Sequence, residues 1–271
     1  VFYSADWKPG EPYELKGAQS PAPKNPECRS VYSHKLGDVS QMISLGAGPP
    51  NTSVSWSKSG DLLAVGAQSG ELMIFDGWSG ELLKSKKLAD GVVKHIAWGA
   101  DDGSIYIAEQ SPKAYLRALT PNLEELWNIE LSDYIEGSFL PDKSDIYGFY
   151  SLPSAYGLSV LNNTNILVAA AHAWRKDGVF KNRSQLLLIS SQGQIVRKYP
   201  QEAAHTIFKH PVLNEAQDRV LFSSMCSACS AGEIPKFGPQ DGAILLDLSS
   251  FEIQHHFSIE PLKPHFNKAQ I

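Results

Sequence analysis

Cysteine is scarce in this chain: Cys28, Cys226 and Cys229 are the three in 271 residues. That count excludes a dense disulfide framework. Long apolar runs are missing too. The longest, residues 166–171, falls far short of the roughly 18 residues that a membrane-crossing helix needs, and suits one buried strand. Charge of one sign is not in excess: 24 Lys and Arg stand against 29 Asp and Glu, a formal net charge of -5. A mildly acidic chain lacks the electrostatic footprint of a nucleic-acid binder. The longest basic cluster, Lys84-Ser85-Lys86-Lys87, reads as a solvated strand rather than a phosphate groove. Helical periodicity is nearly absent, and the best candidate helix, 121–126, is too short to shape the fold.

Signature motifs of catalysis are lacking as well. No G-x-S-x-G, H-E-x-x-H, P-loop or properly placed G-x-G-x-x-G occurs. Gly46-Ala47-Gly48 runs into Pro49-Pro50, which leaves no helix start with free amides. What is present is an ordinary globular composition, 42% hydrophobic and 20% charged, which argues against disorder.

Two textures divide the chain. Residues 8–28 carry Pro9, Pro12, Pro21, Pro23 and Pro26. Proline fixes φ and removes a donor, so 1–28 is expected to be an extended N-terminal arm. From residue 29 to 271, short apolar runs alternate with Gly, Ser, Asp and Asn turns, the pattern of short strands in one β domain. Within 52–88 four such strands follow one another. Ser53-Val54-Ser55-Trp56 alternates as a strand should, then come Leu62-Leu63-Ala64-Val65-Gly66, Leu72-Met73-Ile74-Phe75-Asp76 and Glu81-Leu82-Leu83-Lys84. The plan recurs over 92–131, with Trp98 following Trp56 by 42 residues. Looser copies follow at 165–198 and 207–258, and 30–45 reads as a third-and-fourth strand pair in the same register.

Four strands repeating every 40–45 residues or so is the pattern of a β-propeller, in which stacked blades cover the faces that one sheet cannot bury alone. The fold expected is therefore all-β: a propeller of four-stranded antiparallel blades, five to seven in number. Segment 2–7 or 260–271 would complete a terminal blade and remove its free edge. Residues 132–160, 172–184 and 225–241 read as long irregular insertions, with a further strand conceivable at 146–150.

The residues carry a family resemblance. Val54-x-Trp56-Ser57-x-Ser59-Gly60-Asp61-Leu62-Leu63-Ala64, followed by Ser69-Gly70-Glu71-Leu72-x-Ile74-Phe75-Asp76 and Ser79-Gly80, resembles a WD40 repeat, with Phe75-Asp76 where Trp-Asp is usual. Leu119-Thr120-Pro121-Asn122-Leu123-Glu124-Glu125-Leu126-Trp127 resembles a quinoprotein-type propeller repeat. Both imply the same architecture, and neither transfers a catalytic residue.

Candidate chemistry is sparse. Cys226-Ser227-Ala228-Cys229 is a Cys-x-x-Cys pair that could hold a metal or form a redox disulfide, but no second pair accompanies it, so a local disulfide or two inert thiols is the favoured reading. His255 and His256 are adjacent on one strand and should face opposite ways, which disfavours joint ligation. His172, His205 and His210 could line a central channel or a loop surface. Asp61, Asp90, Asp101 and Asp102 sit in turns, where aspartate satisfies backbone donors. Asn51, Asn162 and Asn182 head Asn-x-Ser/Thr triplets. Trp56 and Trp98, at equivalent positions, are expected in the core. Trp78, in a turn, and Trp174, in a presumed loop, are the expected partner-binding anchors.

These readings point to a non-enzymatic scaffold or accessory subunit without a cofactor, which meets other protein subunits through its loop faces and N-terminal arm, with no nucleic acid and no transmembrane segment. The alternative is a propeller enzyme or redox protein with a metal or quinone-type cofactor in the central funnel. A glycan-binding propeller would need near-identical pockets between blades, and these repeats differ too much. The start at Val1 and the loose later repeats lean toward a periplasmic or secreted protein, the well-formed repeat at 52–88 toward an intracellular one.

Overall fold

The computed structural model describes residues 53–67, 69–88, 91–135, 152–176, 179–225 and 241–257. The arm at 1–28, the strand pair read at 30–45, the strand suggested at 146–150 and both terminal closing segments lie outside these residues.

Four antiparallel four-stranded units follow one another along the described chain. The first holds β1 (Ser53–Trp56), β2 (Leu62–Gly66), β3 (Glu71–Asp76) and β4 (Leu82–Lys87). The second holds β5 (Val92–Trp98), β6 (Ile105–Gln110), β7 (Tyr115–Leu119) and β8 (Glu125–Glu130). The third holds β9 (Ser154–Val160), β10 (Ile166–Lys176), β11 (Val179–Ile189) and β12 (Ile195–Ala204). The fourth holds β13 (Ile207–Leu213), β14 (Arg219–Met225), β15 (Asp241–Asp247) and β16 (Ile253–Phe257). A single edge pair, Gln110↔Ser154, joins the second unit to the third. Among the described residues the only helical turn is a short 3-10 helix, Leu131–Tyr134, and no helix is long and apolar enough to cross a membrane. Residues 121 and 122 form a turn, and 125 and 126 already belong to β8.

Strand alternation builds the core between the units. On β6, Ile105 and Ile107 face the first unit and meet Ala64, Leu72 and Ile74. Tyr106 and Ala108 face the third and meet Ile166, Val168 and Leu187. On β10 the same rule sends Ile166, Val168 and Ala170 one way, and Leu167 and Ala169 the other way, toward Phe208 and Phe222 of the fourth unit. Both faces of a middle strand are therefore dry, so it reads as a continuous apolar run. The fourth strand has one neighbour only, and every residue of β4 is exposed.

Polar locks tie adjacent units together. The Trp98 indole N–H donates to the Ser55 carbonyl at 2.9 Å. The Trp127 indole N–H donates to the Ser191 carbonyl at 2.8 Å, and its ring lies where a Cβ on Gly193 would stand 2.8 Å from it. Gly193 has φ +80, a conformation that glycine adopts without penalty. The Asp102 carboxylate accepts from the Lys58 and Ser59 amides at 2.7 and 2.9 Å, one turn capping the turn of the preceding unit. Burial raises the Asp102 pKa, but these hydrogen bonds outweigh it and hold the group below its usual range.

Two sequence expectations need correction. The presumed insertion 132–160 contains β9, the first strand of the third unit. The insertion expected at 172–184 belongs instead to β10 and β11, paired from Ile166↔Ile189 out to Lys176↔Val179. This segment carries His172, Arg175, Lys181, Asn182 and Arg183, and those polar residues disguise a strand that is nonetheless buried at His172 and Asn182. Asn182 is thus closed to glycosylation, whereas Asn162 lies exposed in the β9–β10 turn.

Candidate functional site

Two places gather side chains whose arrangement exceeds what the fold requires. The first is the rim of the first unit. Asp76 closes β3, and its Oδ1 accepts from the amides of Trp78 and Ser79 at 3.0 and 2.6 Å. This turn presents Trp78, which is 72% exposed. The indole N–H donates to Asp61 Oδ1 at 3.1 Å, so the exposed ring is held in one place. Leu82 and Leu83, 50% and 47% exposed, follow on β4. Lys84, Lys86 and Lys87 share that strand, and charge of this kind discourages indiscriminate pairing of an exposed edge.

The second place is the inner side of the arc, where β1, β5, β9 and β13 lie in series, each against the next. Three of these strands break register. β5 has an extra residue at Lys94, between the pairs Val93↔Glu109 and His95↔Ala108. β9 has one between Ala155↔Ala170 and Leu158↔Val168, at Tyr156 and Gly157. β13 has one between Lys209↔Ser223 and Val212↔Leu221, at His210 and Pro211, where His210 takes φ 53. A bulge bends the strand and re-aims its side chains. Here the three bulges meet. A Cβ on Gly157 would lie 2.2 Å from Pro211 Cδ, so only glycine admits this approach of β9 and β13. The Lys94 ammonium stands 3.9 Å from the Tyr156 ring centroid and the Lys209 ammonium 5.4 Å from it.

This ring of side chains is electrostatically unbalanced. Burial, and then the Lys209 charge, pull the Lys94 pKa down to about 8. Burial, and then Lys94, pull His95 down to about 4, against a hydrogen bond to the Ala155 backbone, with His210 adding to the fall. Burial pushes Tyr156 up. Among the described residues, the side-chain charges acting on Lys94 and His95 are all basic groups. His95 Nε2 is buried without a hydrogen-bond partner among the described residues.

The sign of the His95 effect can be tested. Its folded value, about 4, lies below the ordinary 6.5. The stability this group leaves in place is complete above pH 6.5 and is lost as pH falls through 4. His95→Gln should remove roughly 2–3 kcal/mol of that acid loss. Urea midpoints at pH 7 and pH 4.5 check it, and an unchanged acid limb in the variant would refute the assignment.

The residues singled out from sequence fare unevenly. Trp78 lies in the turn after β3 and is exposed. Trp174 is not on a loop: it sits in β10 opposite Lys181, 6% exposed, stacked on His172 at 4.3 Å with the Arg183 guanidinium 5.6 Å from its ring. Trp98 is buried, but Trp56 is 44% exposed. The lock of Trp98 onto Ser55 of the preceding unit accounts for its burial. His255 and His256 do differ in exposure, and His255 packs on Phe257, two residues along the same face. Cys226 and Cys229 lie outside the described residues, and among those described no three His, Cys, Asp or Glu side chains converge as a metal site. Sequence reading missed Lys94, His95, Tyr156 and Lys209 altogether.

Comparison with known proteins bears on the architecture. Residues 43–101 match the family described as the anaphase-promoting complex subunit 4 WD40 domain. The structure resembles dihydro-heme d1 dehydrogenase NirN in complex with DHE, with a TM-score of 0.50 and 15% identity over 78% of this chain and 36% of that one. The chain has a β-propeller fold. The four described units are blades of it, and the bulged strands lie where β1, β5, β9 and β13 meet in series. BamB from Moraxella catarrhalis aligns with a TM-score of 0.47 and 11% identity over 76% of this chain and 52% of that one. The computationally designed Ika4 protein aligns at 0.43 and 13% identity over 72% of this chain and 93% of that one. The propeller spans about a third of the NirN chain and about half of the BamB chain. No curated protein matches its sequence.

Proposed function

We propose that this propeller is a non-catalytic interaction scaffold, an accessory subunit of a larger assembly, and that the rim of its first blade makes the contact. The observation that carries this reading is Trp78, an indole 72% exposed yet fixed by its bond to Asp61 and by the Asp76 turn beneath it. A large side chain already immobilised loses little conformational freedom on binding, which is why tryptophan is enriched among interface hot spots. Leu82 and Leu83 extend the apolar surface along β4. The WD40 family match covers this blade, and a rigid ring with loops on two faces suits docking more than chemistry.

Trp78→Ala should weaken the complex by about 2 kcal/mol, roughly 30-fold in affinity, with the melting temperature little changed. Native mass spectrometry of wild type and variant purified from the source organism reads both the partner mass and its occupancy. A hetero-complex that survives Trp78→Ala undiminished would remove the rim from the interface. A lone chain carrying one metal or cofactor per molecule would replace the scaffold reading with an enzymatic one.

A further inference from the structure

The inner ring has a second consequence, independent of the rim. We propose that the bulged inner strands form a binding site for a small oxyanion of the phosphate or carboxylate class, held between Lys94, Lys209 and His95 beside Tyr156.

Two lysines brought to one tyrosine ring repel each other, and a core built for stability alone would separate them or add a carboxylate. Three successive strands instead bulge beside these residues, and both lysines come to the Tyr156 ring. Bulges concentrate where a side chain must be re-aimed. The ring face of Tyr156 offsets part of the lysine charge by cation–π attraction, which leaves the remaining ammonium hydrogens as donors. An oxyanion accepts from both lysines at once, and charge-assisted hydrogen bonds of this kind are the strong ones. The unpartnered Nε2 of His95 accepts from a protonated oxygen of the ligand, or donates to it after taking up a proton. The Tyr156 hydroxyl, its ionisation suppressed by burial, remains a neutral donor.

The site makes opposite predictions with and without ligand. In chloride buffer, Lys94→Met should raise the melting temperature above wild type, because it removes one of two repelling charges. In inorganic phosphate or citrate at matched ionic strength, wild type should gain melting temperature in a saturable, millimolar response. Lys94→Met/Lys209→Met should gain only the shift that these salts give any protein, with apparent affinity at least 10-fold lower. If the double variant does not fold, Lys209→Met alone must show the same direction. An equal response in wild type and variants would overturn the proposal. So would a lower melting temperature for Lys94→Met in chloride, which would make Lys94 a packing element. A response to citrate and none to phosphate would assign the site to carboxylates, and the reverse to phosphates. Trp78→Ala should leave every one of these readings unchanged.

Discussion

Phe208→Ala is expected to cost about 3–5 kcal/mol and to lower the melting temperature by roughly 6–15 °C. Phe208 is fully buried at the start of β13. Its ring meets Phe222 of the same blade edge-on, with centroids 5.0 Å apart, and stacks on Tyr199 of the preceding blade at 6.0 Å. Burial pushes the Tyr199 hydroxyl up to about 12. Truncation loses the transfer energy of the ring and leaves a cavity between two sheets that cannot close independently. The damage should reach beyond one blade, since the same cluster holds Leu167, Leu186, Val220 and Ile244. Phe208→Leu keeps most of the volume and should cost much less. Urea unfolding measures both. A loss below about 1 kcal/mol for Phe208→Ala would mean that the third and fourth blades are not packed as described.

The blade plan was legible in the sequence because middle strands declare themselves. Residues 62–66, 105–108 and 166–171 are apolar on both faces, and only a strand sandwiched between two sheets has that pattern. The turn aspartates were equally plain: Asp101 and Asp102 bind backbone amides, while Asp61 accepts from the Trp78 indole. First strands were harder. β9 has neither a Trp at its end nor a clean alternation, because Gly157 and the bulge interrupt the period, so it passed for an insertion. The β10–β11 hairpin was cut short at His172 for a related reason. Its outer residues are polar yet buried, and period and polarity then disagree. Trp56 and Trp98 show the limit of arguing by equivalence. The same position in two repeats differs tenfold or so in exposure, since burial depends on the neighbouring blade and not on the residue. The inner ring was invisible for a deeper reason. Lys94, Tyr156 and Lys209 are separated by about 60 and 50 residues along the chain, and three register shifts, none with a sequence signature, bring them together.

The Glu109–Arg117 pair is the other place where a single change should matter greatly. The Glu109 side chain is wholly buried at the end of β6. Its carboxylate accepts from Arg117 Nε at 2.6 Å and from the Ser111 hydroxyl at 3.2 Å. Arg117, on β7, also binds Glu125 and lies 4.5 Å from the Tyr115 ring. Even so, burial raises the Glu109 pKa above its ordinary value, and the hydrogen bond and charge of Arg117 only reduce that rise. Arg117→Met should therefore cost about 3–5 kcal/mol at neutral pH, because it strands a buried carboxylate. The carboxyl is held above its unfolded pKa, so the folded state binds the proton more tightly. Stability must then fall as pH rises through that interval, and acid should rescue the variant. Arg117→Met is expected to lie closer to wild type at pH 5 than at pH 8 in urea midpoints, the opposite of the His95 trend. The pair itself contributes little net stability if desolvation offsets attraction, so Glu109→Met/Arg117→Met should recover most of the loss. A double variant as unstable as Arg117→Met would show instead that the two side chains support β6 and β7 through packing. Arg117→Met without any gain in acid would show that water reaches Glu109 once the guanidinium is gone.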